Sequence, residues 1–280
     1  MPVADRNWIT QSLPATFSGF TSKWRDSSSK PAEQFLKLLV NGQHLGHVNR
    51  QHLRAVQAAF HAAGLQATET TAHLELLAPT NPQQFSAALA SVGRFLQALN
   101  LVPGWRNEEQ LVLDAEGQVL ATAERALFKT LGLRTRAVHV HVENHLGQVW
   151  AGVRAPTKHE NPGMLDNLAA GGVASAEDIQ TTLWRELDEE AGLGPEDFTR
   201  IEPMYPRELA LSRPLLYGGW HHETVLLYRG VLRPGHRPRN RDGEVAGFQL
   251  MNRNACMKAV NDWQFTPDAA LCCALAMSQD

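Results

Sequence analysis

Hydrophobic positions along the chain change period several times, and each change marks an element. Residues Phe35 to Val40 run apolar into Asn41-Gly42, and His44 to Val48 resume the pattern, which predicts two short strands joined by a tight hairpin turn. Leu53, Val56, Ala59 and Phe60 then recur at helical spacing. A second helical stripe, Phe85, Leu89, Val92, Leu96 and Leu99, follows a breaker at Pro79 to Pro82 and stops at Val102-Pro103-Gly104. Leu127, Phe128 and Leu131 suit a short connecting helix. From Ala137 the period drops to two, with Val138, Val140 and Val142 running into a Gly147 turn and then Val149 to Val153, a second hairpin signature. Strand-like Thr224 to Tyr228 and Gly247 to Met251 come later, and a helix from Pro267 to Met277 closes the chain. These elements predict an α+β unit over residues 1–132 followed by a mixed α/β domain over 133–280.

Length and charge narrow the partners. With 280 residues, two domains are favoured over one. The formal net charge of -3, with Lys and Arg scattered, leaves no basic footprint for nucleic acid or an anionic membrane, so a small molecule is the expected partner. No stretch approaches the roughly 20 apolar residues of a spanning helix, and the start MPVADRNWIT lacks a signal-peptide pattern, so a cytoplasmic location is expected. Cys256, Cys272 and Cys273 are odd in number and clustered late, which argues for reduced thiols rather than a disulfide framework.

One helix carries candidate chemistry. Ser175 to Ala191 reads as a helix with a capping box from Ser175 and Asp178, a stripe of Ile179, Leu183 and Leu187, and a stop at Gly192. Glu186, Glu189 and Glu190 stand at i, i+3 and i+4, so their carboxylates share one patch. Like charges at this spacing destabilise a helix by a few tenths of a kcal/mol per pair unless a cation sits among them. Hard oxygen ligands at this density suit Mg²⁺ or Mn²⁺. An acidic helical face is also an ordinary solvated surface, so the flanking residues decide.

Gly171, Glu177, Arg185-Glu186, Leu187, Glu189-Glu190, Gly192 and Leu193 resemble the Nudix box at every fixed position. The resemblance implies a Nudix α/β/α sandwich with a mixed sheet in the second half, and a Mg²⁺-dependent pyrophosphohydrolase. It implies that Glu186, Glu189 and Glu190 ligate metal beside the Gly171 backbone, with Arg185 and Glu177 bracing them. Further strings are similar to a Nudix subfamily that carries an N-terminal domain of unknown function, DUF4743, and is fused in some fungi to thiamine pyrophosphokinase. They are Gly104-Trp105-Arg106-Asn107-Glu108, Glu124-Arg125-Ala126, Pro162-Gly163-Met164-Leu165-Asp166-Asn167 and Asp242-Gly243-Glu244-Val245. That resemblance implies hydrolysis of thiamine diphosphate, or its oxidised or damaged analogues, to the monophosphate. Thr266-Pro267-Asp268 and Tyr228-Arg229-Gly230 depart from the subfamily's usual strings and bear on substrate preference.

Other residues complete the candidate set. Glu244, in a polar loop after the box, suits a further metal ligand or general base, an alternative to Glu186 in the latter role. Arg154 and Lys158 precede a Pro-Gly turn and suit a diphosphate grip. Trp220 with His221 and His222 suits either a pocket wall or a core position, and His139 and His141 on one strand read as structural. Trp105, Arg106 and Glu108 suit either substrate closure or a domain interface. Competing functions are hydrolysis of nucleoside diphosphate derivatives such as ADP-sugars or dinucleotides, isopentenyl diphosphate isomerisation, and a non-catalytic Nudix ligand sensor. The isomerase needs a Cys poised at the site, and a sensor usually loses box glutamates, which this chain keeps. Homodimerisation is compatible with the sequence.

Overall fold

The computed structural model describes residues 12–27, 32–215 and 218–279; residues 1–11 of the expected first domain lie outside them. The N-terminal half begins as the apolar pattern predicts. Strands β1 (Phe35–Val40) and β2 (Gln43–Asn49) form an antiparallel hairpin through Asn41 and Gly42, whose φ values of 49° and 84° fit a primed hairpin turn. Helices α2 (Leu53–Ala62) and α3 (Pro82–Ala98) bury the predicted stripes, except that Leu99 caps the end of α3 and is exposed. Between them lie strands β3 (Gln66–Glu69) and β4 (His73–Leu77), which the sequence reading left as connection. The sheet order is β2-β1-β4-β3, with β1 and β4 parallel. A further hairpin, β5 (Glu109–Leu113) and β6 (Val119–Glu124), leads into the short α4 (Arg125–Leu131).

The second half is an α/β/α sandwich around one mixed sheet. Its strands are β7 (Thr135–Glu143), β8 (Val149–Arg154), β9 (Leu165–Asp166), β10 (Ala169–Gly172), β11 (Phe198–Pro214), β12 (Trp220–Leu232) and β13 (Val245–Met251). They are ordered β11-β12-β7-β8-β13, with β10 on β7 and β9 on β8. Helix α5 (Ile179–Ala191) packs Leu183, Leu187 and Ala191 against Val138, Val140, Val142, Leu226 and Tyr228 on one face. Helices α6 (Arg253–Asn261) and α7 (Pro267–Ser278) cover the other, around Ala151, Val225, Leu227 and Phe265. Both faces of β7 are therefore buried, and the histidines between its valines lie inside. His139 pairs with Asn167 at 2.9 Å and His141 with Glu143 at 3.2 Å.

Two expectations need correction. Helix α5 starts at Ile179, because Asp178 itself is the N-cap, accepting the Thr181 N–H at 2.7 Å; Ser175 instead donates its backbone N–H to Glu109 of β5. Residues expected in the first domain also pack elsewhere, although the core of the N-terminal half itself runs from Leu36 to Leu133. Leu13, Phe17, Phe20 and Trp24, the last two on helix α1 (Ser18–Ser27), are buried in the core of the second half, and Asn261 of α6 accepts the Phe20 N–H at 3.1 Å. These residues thus pack on the second half, and each buried aromatic there contributes about 1.5–3 kcal/mol. The halves also meet where His47 stacks on Trp220 at 4.2 Å and Asn49 donates to the Gly218 carbonyl.

Candidate metal and diphosphate site

The buried stripe of α5 fixes the rotation of the helix, and that rotation sets Glu186 and Glu190 against strand β10. Glu190 accepts the Ala170 N–H at 2.9 Å. Glu186 lies so close to Gly171 that a Cβ there would fall 1.9 Å from its Oε1. Only glycine leaves room for this carboxylate. Burial pushes the Glu186 carboxyl above its ordinary value against the pull of Arg185. It pushes Glu190 well above, and the neighbouring Glu186 adds to the shift.

Arg185 holds the acidic cluster in place. Its Nε and one terminal nitrogen donate to the two oxygens of Glu177 at 2.7 and 2.9 Å, and the other terminal nitrogen reaches Glu186 at 2.8 Å and Glu189 at 2.9 Å. It also reaches the Gly172 carbonyl at 3.3 Å. The hydrogen bonds from Arg185 lower the Glu177 carboxyl, against a smaller burial effect. Glu177 in turn accepts from Thr182 at 2.8 Å, so the guanidinium fork is aimed by a partner outside the carboxylate patch.

A loop brings further acids to the helix. Gly192 ends α5 at φ 62°, and the loop from 239 to 244 docks on the last turn, where Arg239 donates to the Ala191 carbonyl and Arg241 and Asp242 to that of Glu189. The Asp242 side chain accepts the Glu244 N–H at 2.8 Å, and Asn240 accepts from Gly243. The result is a cluster in which oxygens of Glu190, Asp242 and Glu244 lie within 4.8 Å of one another. Only Glu190 among them is buried, with its carboxyl raised by that burial, while Asp242 is exposed and Glu244 half-buried; three carboxylates converging at this spacing are a donor set that fits a hard divalent cation.

Beside the acids lies a cleft of about 170 Å³ between the two halves of the chain. Gly171, Glu186 and Glu244 line it with Arg106, Arg125, Lys129, Arg154 and Lys158. Lys158 and Arg106 both pair with Glu244, the latter at 3.2 Å. Burial raises the Glu244 carboxyl, but those two cations lower it further, so it is ionised at neutral pH. Arg154 is partly committed elsewhere, to Asp166 at 2.7 Å and to the Glu160 carbonyl.

Most expected residues therefore meet: Glu177, Arg185, Glu186, Glu189 and Glu190 form one network, and Gly171, Glu244, Arg154 and Lys158 border it. Trp220 does not. Its indole donates to Ser212 at 2.8 Å and packs on His47 and Phe35, so it belongs to the contact between the halves and not to the cleft. His221 faces Asp268 at 3.4 Å and Glu223 at 3.8 Å, with Arg213 forked onto Asp268. Cys256, Cys272 and Cys273 are buried away from the cleft, and burial raises the Cys272 thiol. The sequence reading missed Lys129, and saw Asp242 and Arg125 only as parts of strings. Asp242 carried a signal, since Asn240 to Gly243 is a turn-forming run that presents it beside Glu244.

A family model described as the NUDIX domain matches residues 133–269. Nudix hydrolase 20, chloroplastic, of Arabidopsis thaliana is 30% identical over 61% of this chain and 46% of its own length. Nudix hydrolase 24, chloroplastic, of the same organism is 28% identical over 67% of this chain and 52% of its own. The chain spans about half the length of these curated relatives. Among solved structures, the NUDIX domain of Shewanella oneidensis NrtR complexed with ADP ribose aligns over 55% of this chain and 97% of its own, at 13% identity and a TM-score of 0.42, a likeness too loose to carry a conclusion. No described helix is long and apolar enough to cross a membrane.

Proposed function

We propose that this chain, which carries a Nudix domain over residues 133–269, is a metal-dependent hydrolase of phosphate anhydrides, cleaving a small-molecule diphosphate to a monophosphate. The observation that carries the reading is the meeting of buried, cation-seeking carboxylates, Glu186 and Glu190, with a cleft lined by arginine and lysine. Acids and bases meeting in one cleft match a substrate whose phosphates bridge a metal ion and the protein's own cations.

The residues divide the work. Glu186, Glu190 and Asp242, with Glu189 beside them, would hold Mg²⁺ or Mn²⁺, and Arg185 with Glu177 keeps those carboxylates aimed. When bound, the metal lowers the pKa of water and neutralises charge on the phosphates. Lys158 and Arg154 draw the diphosphate into the cleft. A water attacks one phosphorus, the bond from that phosphorus to the bridging oxygen breaks, and the water's proton passes to a carboxylate. Glu244 suits that last role: it is ionised, it borders the cleft and it sits on a loop separate from the helix.

For the organic half, the subfamily strings support thiamine diphosphate or its oxidised or damaged analogues. The test is Mg²⁺-dependent hydrolysis, read by chromatography of the phosphorylated products, of thiamine diphosphates, ADP-sugars, dinucleoside polyphosphates and nucleoside triphosphates. Conversion of a thiamine diphosphate to its monophosphate is the expected result. Activity confined to nucleotides would sink the thiamine-type reading, and the absence of metal-dependent hydrolysis on every compound would sink the hydrolase itself.

A further inference from the structure

The cleft has a wall that the Nudix domain does not supply. Arg106, Arg125 and Lys129 come from the N-terminal half and stand with Arg154 and Lys158 around the same space. Each already has an anionic partner: Arg106 holds Glu244 at 3.2 Å, Arg125 holds Glu108 at 3.1 Å, and Lys129 holds Glu160. These are weak commitments. The side chains of Arg106 and Lys129 retain 43% and 33% of their exposure, and ion pairs open to water in this way are easily exchanged for a better anion. A diphosphate, with more charge and more acceptor oxygens than one carboxylate, is such an anion.

Size and lining limit what else enters. At about 170 Å³ the cleft is smaller than the roughly 300–1,000 Å³ of sites that enclose a drug-sized ligand. No aromatic ring other than the His159 imidazole lines it. It therefore has room for phosphates and little to offer a planar organic group.

Resting on the hydrolase reading, we infer that the N-terminal half is part of the substrate site: Arg106 and Lys129 leave Glu244 and Glu160 to grip the diphosphate from the side opposite the α5 carboxylates. Recognition is then by the diphosphate group, with the organic half outside the cleft. Arg125, held by both oxygens of Glu108 at 3.3 and 3.1 Å, stays there and shapes the wall.

The test uses the full chain with Mg²⁺ and methylenediphosphonate, a diphosphate mimic whose P–C–P bridge is not hydrolysed. Calorimetry would compare wild type with Arg106→Ala, Lys129→Ala, the double variant, and Lys258→Ala, an exposed lysine on α6. Melting curves check that each variant is folded. The expected result is binding at least about tenfold weaker in the double variant, with Lys258→Ala unchanged and, in turnover, a raised KM at nearly constant kcat. If wild type hydrolyses a diphosphate while the double variant binds the mimic as wild type does, this inference alone is overturned. If wild type neither binds the mimic nor releases phosphate, the hydrolase reading fails and the inference falls with it.

Discussion

Gly171→Ala isolates the contact between strand β10 and helix α5. A methyl group at residue 171 would sit 1.9 Å from Glu186 Oε1, 2.0 Å from its Cδ and 2.4 Å from Oε2, whereas ordinary contact begins near 3.4 Å. The carboxylate would have to withdraw by about 1.5 Å, the difference between the first and last of those distances. Because the colliding atoms are the far end of a flexible side chain, the fold absorbs the change, at a cost of about 1 kcal/mol for an off-rotamer glutamate. Catalysis does not absorb it, since a displacement of this size at a reacting centre costs roughly a hundredfold in rate. The assay is Mg²⁺-dependent phosphate release from a thiamine diphosphate or whichever diphosphate the panel identifies, read beside a melting curve. A folded Gly171→Ala protein is expected to lose turnover and to bind Mn²⁺ more weakly by calorimetry. A variant that keeps full kcat and full metal affinity would show that Glu186 does not act from the position it occupies.

Other perturbations probe the remaining parts. Glu190→Gln, and likewise Glu189→Gln, keeps the fold and lowers kcat by roughly 10²–10³, the scale of removing one preorganised group from a reacting centre; full activity in either would refute its metal role. Arg185→Lys cannot reproduce the fork onto Glu177 and Glu186, so metal affinity falls by roughly 10–100-fold, as for other residues that orient ligands; unchanged affinity would refute the bracing role. Glu186 and Glu190 have raised pKa values, so their contribution to metal-free stability is present in acid and is lost as pH rises through those values. Mg²⁺ binding relieves that loss, and the metal-induced rise in Tm should therefore be larger at pH 8 than at pH 5; an equal rise would count against the site. Burial lowers His47 to about 3, with His44 and His222 adding to the shift, and lowers His222 to about 4, so both are neutral in the fold. Their contribution is present above the ordinary value of 6.5 and is lost as pH falls toward 4. The urea midpoint should drop on acidification, less so in His47→Gln, and identical pH profiles would exclude this cause.

What the sequence made legible was local. The α5 glutamates share a patch because of helical periodicity, and Arg185 reaches Glu189 within one turn. The β1–β2 hairpin and the stripes of α2 and α3 were equally readable, since each depends on a few neighbouring residues. Strands β3 and β5 were not, because their short, mixed polar runs, Gln-Ala-Thr-Glu in the first case, become strands only by pairing with β4 and β6. His139 and His141 on β7 read as structural, but no local pattern announced that α7 would cover that face of the strand. Trp220 was ambiguous for a similar reason: the partner that decides its role, His47, is distant in the chain.

The same contrast runs through the site. Glu186 and Glu190 on α5 are buried and raised in pKa, so without a cation they oppose their own ionisation. The cations nearest the cleft come from three separate places: Arg106 and Lys129 in the first half, Lys158 after β8. A glutamate off the helix holds each away from the α5 acids: Arg106 and Lys158 share Glu244, and Lys129 takes Glu160. This separation keeps the cations from collapsing onto Glu186 and Glu190 and neutralising the metal ligands. A diphosphate is the kind of ligand that satisfies both groups at once, offering oxygens to a metal on one side and to the freed Arg and Lys side chains on the other. On that argument the N-terminal half is a component of the site, and its salt bridges to Glu244 and Glu160 mark the positions that substrate phosphates take over.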